Sequence, residues 1–233
     1  SASTAERRAP EFAVFLNSPA DVTQYRAAFD AFAQWAGRPI DRYKLHVPWD
    51  QGWGNYESPF WLGQFDNLPV ALLLPLFVAG ASVDGVLAGE YDRYYRGLAD
   101  QLIEHGLEDA VLVLGHEFNT DWFPWGTKLI GDDAYVKAFR HVRDLFMSRP
   151  GAAFVFDWTS VPGEANPLGA YPGDDYVDIV GSDFYDRDWE FGPWQSGDWY
   201  VRRWEKFLAQ PWGLDWLAQF ARERGKPISF GEW

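Results

Sequence analysis

The stretch "DAVLVLGHE", residues 109–117, determines the fold that the sequence predicts. Valine and leucine alternate through residues 111–114, so neither side of this segment offers a polar face before Gly115 interrupts it. Such a run is typical of a strand that is buried on both faces, as strands are in a parallel sheet covered by helices. We therefore expect Glu117 to lie just beyond the C-terminal end of a buried strand.

Similar strands recur along the chain and alternate with helical segments. Strand-like apolar segments occupy residues 12–17, 43–49, 69–77, 109–115, 153–160, 177–185 and 226–233. Amphipathic helical segments occupy residues 20–37, 89–106, 132–151, 198–210 and 213–225. This alternation predicts an α/β fold, and seven strand units in one domain fit a (β/α)8 TIM barrel better than an open sheet. No glycine-rich G-x-G-x-x-G turn follows the first strand, which disfavours a dinucleotide-binding sheet.

The predicted barrel domain extends over residues 11–233 and follows an N-terminal tail at residues 1–10. An eighth strand unit is apparently missing from the sequence. A closed barrel needs that unit, because the first and last strands otherwise present unpaired edges. We therefore expect a barrel that is truncated at its C-terminal end, or one that a separate segment completes.

Charge and composition disfavour several classes of partner. The 233 residues carry a formal net charge of −14, which repels nucleic acid and anionic membranes. The chain has no cysteine for a disulfide or a thiolate metal site, and no apolar run is long enough to span a bilayer. Residues 1–10 lack the apolar core of a signal peptide. A neutral ligand is easier to reconcile with such a surface.

Tryptophan is unusually frequent, with 14 residues in the chain. Many of them lie in polar segments that contain glycine or proline: Trp49, Trp53, Trp61, Trp122, Trp125, Trp189 and Trp194. Some of these rings must pack in the core, but aromatic rings in loops at strand ends also suggest flat stacking platforms. Because the C–H faces of neutral sugar rings stack on such surfaces, the composition favours a carbohydrate ligand.

Two glutamates lie at the ends of predicted strands, Glu117 after the fourth and Glu232 after the seventh. Barrels of this kind place the active site at the C-terminal ends of their strands, where strands four and seven lie on opposite sides of the mouth. A pair of carboxylic acids across a sugar-binding cleft is the arrangement that glycoside hydrolysis needs. The zinc motif H-E-x-x-H is absent, because the fourth residue after His116 is Thr120. We expect no metal and no cofactor.

Three segments resemble motifs of glycoside hydrolase family 26, a clan A family that includes many β-mannanases. They are "GHEFNTDWFPWG" at residues 115–126, "YPGDDYVDIVGSDFYD" at 171–186 and "KPISFGEW" at 226–233. The resemblance implies a retaining double-displacement mechanism, with Glu117 as general acid/base and Glu232 as nucleophile. It also implies that Tyr185 hydrogen-bonds the nucleophile and that His116 contacts the 2-hydroxyl of the sugar.

The resemblance further implies that Trp122 and Trp125 stack on the sugar beyond the cleavage point. The chain departs from the family pattern at several positions. Val113 stands where the family has arginine, Thr120 stands where it has glycine, and Pro124 interrupts the aromatic run. At the end of the chain, "GEW" replaces the more usual "EFG". The first three differences lie near the expected sugar-binding site, so they leave the type of sugar open. They do not affect the assignment of the catalytic carboxylates.

Three further residues at or near strand ends are candidates for substrate binding: Trp158, Asp183 and His46. Trp158 is a candidate for the floor of the sugar site. Asp183 can either fix a loop or contact the sugar. His46 lies on an apolar strand, where a histidine is more often a hydrogen-bonded core residue than a ligand contact.

The sequence therefore predicts a retaining endo-β-glycosidase that acts on a neutral polysaccharide or oligosaccharide, most simply a β-1,4-mannan. Two alternatives stay open. One is a clan A hydrolase for another polymer, such as β-glucan, β-1,3-xylan or a bacterial exopolysaccharide. The other is a non-catalytic sugar-binding barrel. We expect an extracellular or cell-surface protein, with no nucleic-acid or membrane partner, that is monomeric unless a separate segment completes the barrel.

Overall fold

The computed structural model describes residues 10–17, 22–185 and 198–232. Within these ranges, seven strands form one sheet in which neighbours are parallel and follow the order of the chain. The strands are β1 Ala13–Phe15, β2 Arg42–His46, β3 Val70–Leu74, β4 Val111–Leu114, β5 Val155–Ser160, β6 Ile179–Ser182 and β7 Ile228–Phe230. Every predicted strand is confirmed, and the chain forms seven units of a (β/α)8-type barrel.

Eight α-helices accompany these strands in the described residues. They are α1 Tyr25–Ala36, α2 Gly54–Glu57, α3 Val83–Leu87, α4 Asp92–Glu104, α5 Thr127–Ile130, α6 Asp132–Met147, α7 Trp199–Ala209 and α8 Leu214–Arg224. The predicted helices are confirmed as α1, α4, α6, α7 and α8. The sequence pattern does not predict α2, α3 and α5, because four or five residues are too few to show a helical period.

Helix α4 illustrates how the helices cover the sheet. Tyr95, Leu98 and Leu102 are buried along one side, at the three- and four-residue spacing of a helix face. The chain leaves the helix at Gly106, whose φ of 69° is a left-handed conformation that glycine adopts without strain. The Tyr95 hydroxyl donates a hydrogen bond to the Leu76 carbonyl, just beyond β3, at 2.7 Å. A core residue of the helix thus also fixes the exit of a strand.

The two faces of the sheet differ because successive strand residues point to opposite sides. One face packs against the helices and carries the larger core cluster, which includes Leu72, Leu74, Leu112, Leu114 and Phe156. The other face, inside the barrel, carries a smaller apolar cluster of Ala71, Leu73, Val111 and Val113. In the β2–β3 register, Lys44 is the partner of Ala71 and His46 is the partner of Leu73. The inside of the barrel is therefore apolar on β3 and β4 but carries ionisable groups on β2.

The described sheet begins with β1 and ends with β7, each only three residues long, and no eighth strand occurs in the described residues. The predicted N-terminal tail lies outside the described residues except for Pro10. Nowhere in the described part of the chain is a helix both long enough and apolar enough to cross a membrane.

Candidate active site

The chain turns sharply after β4 and so brings Glu117 to the C-terminal end of the sheet. Gly115 and Glu117 have φ values of 56° and 53°, and the Glu117 N–H donates to the Thr159 carbonyl of β5 at 2.9 Å. A left-handed conformation is uncommon for a residue other than glycine, and such residues cluster at functional sites. His116 and Phe118 on either side are buried, whereas Glu117 is partly exposed. The buried neighbours therefore fix the turn, and Glu117 keeps access to solvent.

Asn119 connects this turn to the loop after β5. Its side-chain amide donates to the Val161 and Ala165 carbonyls, each at 2.9 Å, and its side-chain carbonyl accepts from the Val161 N–H at 2.8 Å. The Asn119 side chain is fully buried, and these partners are all backbone groups. The loops after β4 and β5 are thereby held together beside Glu117.

Trp122 is the exposed ring beside Glu117. Its indole Nε1 donates a hydrogen bond to Glu117 Oε2 at 2.6 Å, and 43% of the residue is exposed. A hydrogen bond to a carboxylate is stronger than one between neutral groups, so it fixes the orientation of both side chains. Trp122 thus offers a free aromatic face at the position that the sequence predicts for sugar stacking.

Trp125 does not have the exposed position that sugar stacking requires. It is fully buried, and its ring stacks on Phe123 with centroids 4.7 Å apart. Its Nε1 donates to the His116 carbonyl at 2.8 Å. The prediction of a stacking role for Trp125 is therefore corrected, because the indole N–H finds its partner inside the fold and draws the ring into the core. Trp125 supports the turn that carries Glu117.

Trp158, predicted as the floor of the sugar site, is also fully buried and needs the same correction. Its ring stacks on Phe118 with centroids 4.7 Å apart, so it lies beneath the Glu117 turn and not at the surface. Among the other loop tryptophans, Trp61 is buried and Trp53 stacks on Tyr94 at 4.6 Å. The last two predicted platforms, Trp189 and Trp194, lie outside the described residues.

The two histidines near the site are held in the neutral form. Burial lowers the pKa of His116 well below its usual value, and the nearby His46 and Lys44 lower it further. Burial also lowers the pKa of His46, as does the charge of Lys44, against a weaker opposing effect of Asp50. A neutral imidazole can accept a hydrogen bond as well as donate one. His116 Nδ1 has no hydrogen-bond partner among the described residues.

Glu232, after β7, is held by groups that are remote in the sequence. The Tyr185 hydroxyl donates a hydrogen bond to Glu232 Oε2, and Lys44 Nζ lies 3.8 Å from Glu232 Oε1. Lys44 also donates to the carbonyl of the preceding Gly231 at 2.7 Å, and the Phe184 N–H donates to the Glu232 carbonyl at 3.0 Å. A hydroxyl donor and an ammonium group thus lie against the two oxygens of this carboxylate.

Asp183 lies beneath the mouth and is only 1% exposed. Its carboxyl oxygens have no hydrogen-bond partner among the described residues. Burial raises its pKa well above the usual value, the charge of Lys44 opposes this, and Glu232 and Glu117 add to the increase. The sequence left two roles open for Asp183, fixing a loop or contacting the sugar. Its burial does not agree with direct contact to the sugar. A Cβ on Gly231 would lie 2.3 Å from Asp183 Oδ1, so Gly231 is needed for the close approach.

A second buried carboxyl, Asp157, connects β5 to β7. It accepts hydrogen bonds from the Thr159 and Ser229 hydroxyls at 2.8 and 2.5 Å. Burial raises its pKa to about 6, although the two hydroxyls and Lys44 oppose that increase. Gly181 leaves room for the cluster, because a Cβ there would lie within 2.2–2.7 Å of its oxygens. The cluster fixes β7 immediately before the segment that carries Glu232.

The structure brings the two predicted catalytic carboxylates to one end of the barrel. Both raise the pKa of the buried Asp183, so their charges converge on the same place. No group of three or more His, Cys, Asp or Glu residues within the described ranges is arranged to hold a metal ion. The arrangement consists of two carboxyls with different partners, one hydrogen-bonded by an exposed tryptophan and the other by a tyrosine with a lysine nearby.

Lys44 and Gly231 are site residues that the sequence motifs do not reveal. The sequence gives one indication that Lys44 faces the site. It lies two positions before His46, and side chains two positions apart in a strand lie on the same face. Nothing in the sequence indicates that its partner is Gly231. Gly231 precedes the candidate nucleophile, but its steric role depends on Asp183, which follows a different strand.

Comparison with known proteins assigns the middle part of the chain to a family. Residues 87–202, about half of the chain, match the family described as Glycosyl hydrolase family 26. The chain is 27% identical over 184 residues to endoglucanase H of Acetivibrio thermocellus, covering 74% of this chain and 20% of that protein. It is 33% identical over 84 residues to mannan endo-1,4-beta-mannosidase of Bifidobacterium adolescentis, covering 31% of this chain and 8% of that protein. The chain thus matches a fifth or less of each relative.

The fold is similar to the crystal structure of a β-mannanase from a symbiotic protist of the termite Reticulitermes speratus, complexed with gluco-manno-oligosaccharide. That comparison has a TM-score of 0.62 at 16% identity and covers 95% of this chain and 73% of the other. The order of the strands, the carboxylates after β4 and β7 and the family match agree with one another. The chain belongs to glycoside hydrolase family 26.

Proposed function

We propose that this protein is a retaining endo-β-glycosidase for a neutral polysaccharide of the β-1,4-mannan type. The observation that carries the proposal is the placement of Glu117 and Glu232 after β4 and β7, with both charges acting on the same buried Asp183. Two carboxyls with different surroundings suit the two roles that glycoside hydrolysis requires. A non-catalytic sugar-binding barrel would not need this pair.

In the proposed mechanism, Glu117 donates a proton to the leaving oxygen while Glu232 attacks the anomeric carbon. Water then hydrolyses the glycosyl-enzyme as Glu117 removes its proton. The ammonium of Lys44 and the hydroxyl of Tyr185 orient the Glu232 carboxylate before the attack. Trp122 keeps Glu117 oriented through its indole N–H.

Three features support a neutral sugar polymer as substrate. The net charge of −14 disfavours anionic polymers. The exposed face of Trp122 adjoins Glu117 and suits a sugar ring beyond the cleaved bond. The mannosidase relative and the mannanase of similar fold favour mannan, and a polymer of this size would be met outside the cell.

A β-glucan is the second candidate. One relative, which aligns with 74% of this chain, is named an endoglucanase. Val113 and Thr120 also replace the arginine and glycine of the mannanase-like motif, close to the proposed sugar site. These replacements concern substrate choice and leave Glu117 and Glu232 in place.

A panel of polysaccharides tests the proposal. Purified protein is incubated with β-mannan, glucomannan, mixed-linkage β-glucan and β-1,3-xylan, and new reducing ends are measured. We expect release from mannan or glucomannan, with none from Glu117→Gln or Glu232→Gln. Faster release from β-glucan would select the second candidate. Binding without release from any of the polymers would favour the non-catalytic barrel and contradict the proposal.

A further inference from the structure

Lys44 is a buried cation on the inner face of β2. It is only 5% exposed, and lysine is rarely so buried unless its charge is paired. Its ammonium donates to the Gly231 carbonyl at 2.7 Å and lies 3.8 Å from Glu232 Oε1. The hydrogen bond joins residues that are 187 positions apart in the sequence. A residue near the start of the barrel therefore contacts the segment that carries the candidate nucleophile.

The segment after β7 is held by groups from other strands. β7 is three residues long and pairs with β6. Beyond the strand, the Phe184 N–H donates to the Glu232 carbonyl at 3.0 Å. Lys44 adds side-chain contacts from β2 with both the backbone and the carboxylate of this segment.

Ionisable groups from several strands share this region with Lys44. They are His46 on β2, Glu117 and His116 after β4, Asp157 on β5, Asp183 and Tyr185 after β6, and Glu232 after β7. The charge of Lys44 lowers the pKa values of four of them, His46, His116, Asp157 and Asp183. Lys44 thus introduces positive charge among several carboxyls, where burial weakens the screening by water.

We propose that Lys44 is a positioning residue for the nucleophile, whose ammonium fixes the Gly231 carbonyl and stabilises the negative charge of Glu232. The inference rests on the proposed catalytic function of Glu232. Lys44 acts through Glu232 and its backbone and is not itself placed on the reacting atoms. A purely structural lysine would hold the segment without changing the pH at which Glu232 becomes ionised.

The test compares Lys44→Met, which removes the charge at similar length, with Lys44→Arg, which keeps it. The titration of the Glu232 carboxyl carbon is followed by ¹³C NMR, and the pH dependence of kcat/KM is measured on the polymer that the panel selects. In Lys44→Met, we expect both the Glu232 titration and the acid limb of kcat/KM to move to higher pH, because a nearby positive charge is removed. We also expect kcat to fall about tenfold with little change in KM. Lys44→Arg should keep both pH profiles close to those of the unmodified protein.

Lys137→Met is the matched control. Lys137 is an exposed lysine of α6 that pairs with Asp133 at 2.6 Å, so its loss removes the same charge away from the site. This variant should leave the Glu232 titration and the kinetics unchanged. A folded Lys44→Met with an unchanged Glu232 titration would overturn the inference. Equal shifts in Lys44→Met and Lys44→Arg would also overturn it, because they would show that charge is not the cause.

The NMR titration separates this inference from the proposed function, since it does not require activity. The Lys44→Met substitution could shift the Glu232 titration in a protein that hydrolyses no polysaccharide. That result would contradict the proposed glycosidase function and support the contact between Lys44 and Glu232. If Lys44→Met does not fold, Glu232→Gln gives the reciprocal measurement. In that variant the ¹⁵N resonance of the Lys44 ammonium should move relative to the unmodified protein, because the carboxylate beside it is no longer charged. An unchanged Lys44 resonance would overturn the inference.

Discussion

The turn after β4 and the segment after β7 carry equivalent carboxylates, but they are built differently. Glu117 lies in a backbone turn with a φ of 53°, between buried neighbours, and Trp122, its side-chain partner, is five residues away. Glu232 follows the three-residue strand β7, and its partners Tyr185 and Lys44 lie far away in the sequence. The first carboxylate is positioned by the packing and backbone contacts of its turn, and the second is contacted by polar side chains from remote segments.

This difference predicts how each side responds to substitution. A change in the aromatic packing beneath β4 should first affect the stability of the fold, because those rings belong to the large core cluster. A change in the polar groups around β7 should first affect pH dependence and rate, because those groups set the charge and position of Glu232.

Removing either carboxylate should have the largest effect. Glu117→Gln and Glu232→Gln should each reduce hydrolysis by about 10²–10⁴-fold, while unfolding transitions stay close to that of the unmodified protein. The two sides should differ in chemical rescue on an activated aryl glycoside. Azide should restore the rate of Glu117→Gln, because it attacks the glycosyl-enzyme without needing a base, and should not restore Glu232→Gln. Rescue of Glu232→Gln alone would reverse the two assignments.

Removing the buried ring on the β4 side should mainly reduce stability. Trp125→Ala should lower the free energy of unfolding by about 3–5 kcal/mol, because it leaves a cavity and removes a buried hydrogen bond. Trp122→Ala, at an exposed position, should cost less than about 1 kcal/mol. It should instead slow the cleavage of long oligosaccharides more than that of a short aryl glycoside. Urea denaturation and kinetics measure both, and equal stability losses would show that the two rings are not differently placed.

Asp157 on the β7 side should make stability depend on pH. Its pKa is raised from 3.8 to about 6 in the folded protein, so the folded state binds more protons than the unfolded state between these values. The free energy of unfolding should therefore fall as pH rises through this window, by on the order of 3 kcal/mol, and then stay level.

Asp157→Asn lacks this titration and resembles the protonated acid. Its stability relative to the unmodified protein should therefore increase from pH 4 to pH 6 and stay constant above that range. Urea denaturation at several pH values measures this difference. Asp133→Asn, at an exposed position on α6, provides a control. A pH-independent difference between Asp157→Asn and the unmodified protein would contradict the raised pKa.

The sequence predicts the strands and the carboxylate positions well, because apolar segments mark the strands and Glu117 and Glu232 lie within three residues of the ends of β4 and β7. It fails for Trp125 and Trp158. Trp125 follows a proline, and Trp158 lies beside polar residues near the end of β5. Such a local sequence looks the same whether the ring is exposed or packed in the core. Its direction depends on partners such as the His116 carbonyl, which only the folded chain supplies.

Long-range partners are the second limit. Spacing places Lys44 on the same strand face as His46, but no local pattern connects it to Gly231. Asp183 is similar, since the charges of Lys44, Glu117 and Glu232 that act on it come from three other strands. The contacts around β7 were therefore the least predictable part of the site, in contrast to the turn after β4.

Trapping the glycosyl-enzyme identifies the nucleophile of the proposed mechanism. A 2-deoxy-2-fluoro glycoside with a good leaving group, matched to the preferred sugar, slows hydrolysis of the intermediate so that it can be isolated. The protein is then digested, and the labelled peptide is sequenced by mass spectrometry. We expect one sugar attached to Glu232, and the same label in Glu117→Gln. A label on Glu117 or Asp183, or rapid turnover with no covalent label on any residue, would contradict the assignment of Glu232 as nucleophile.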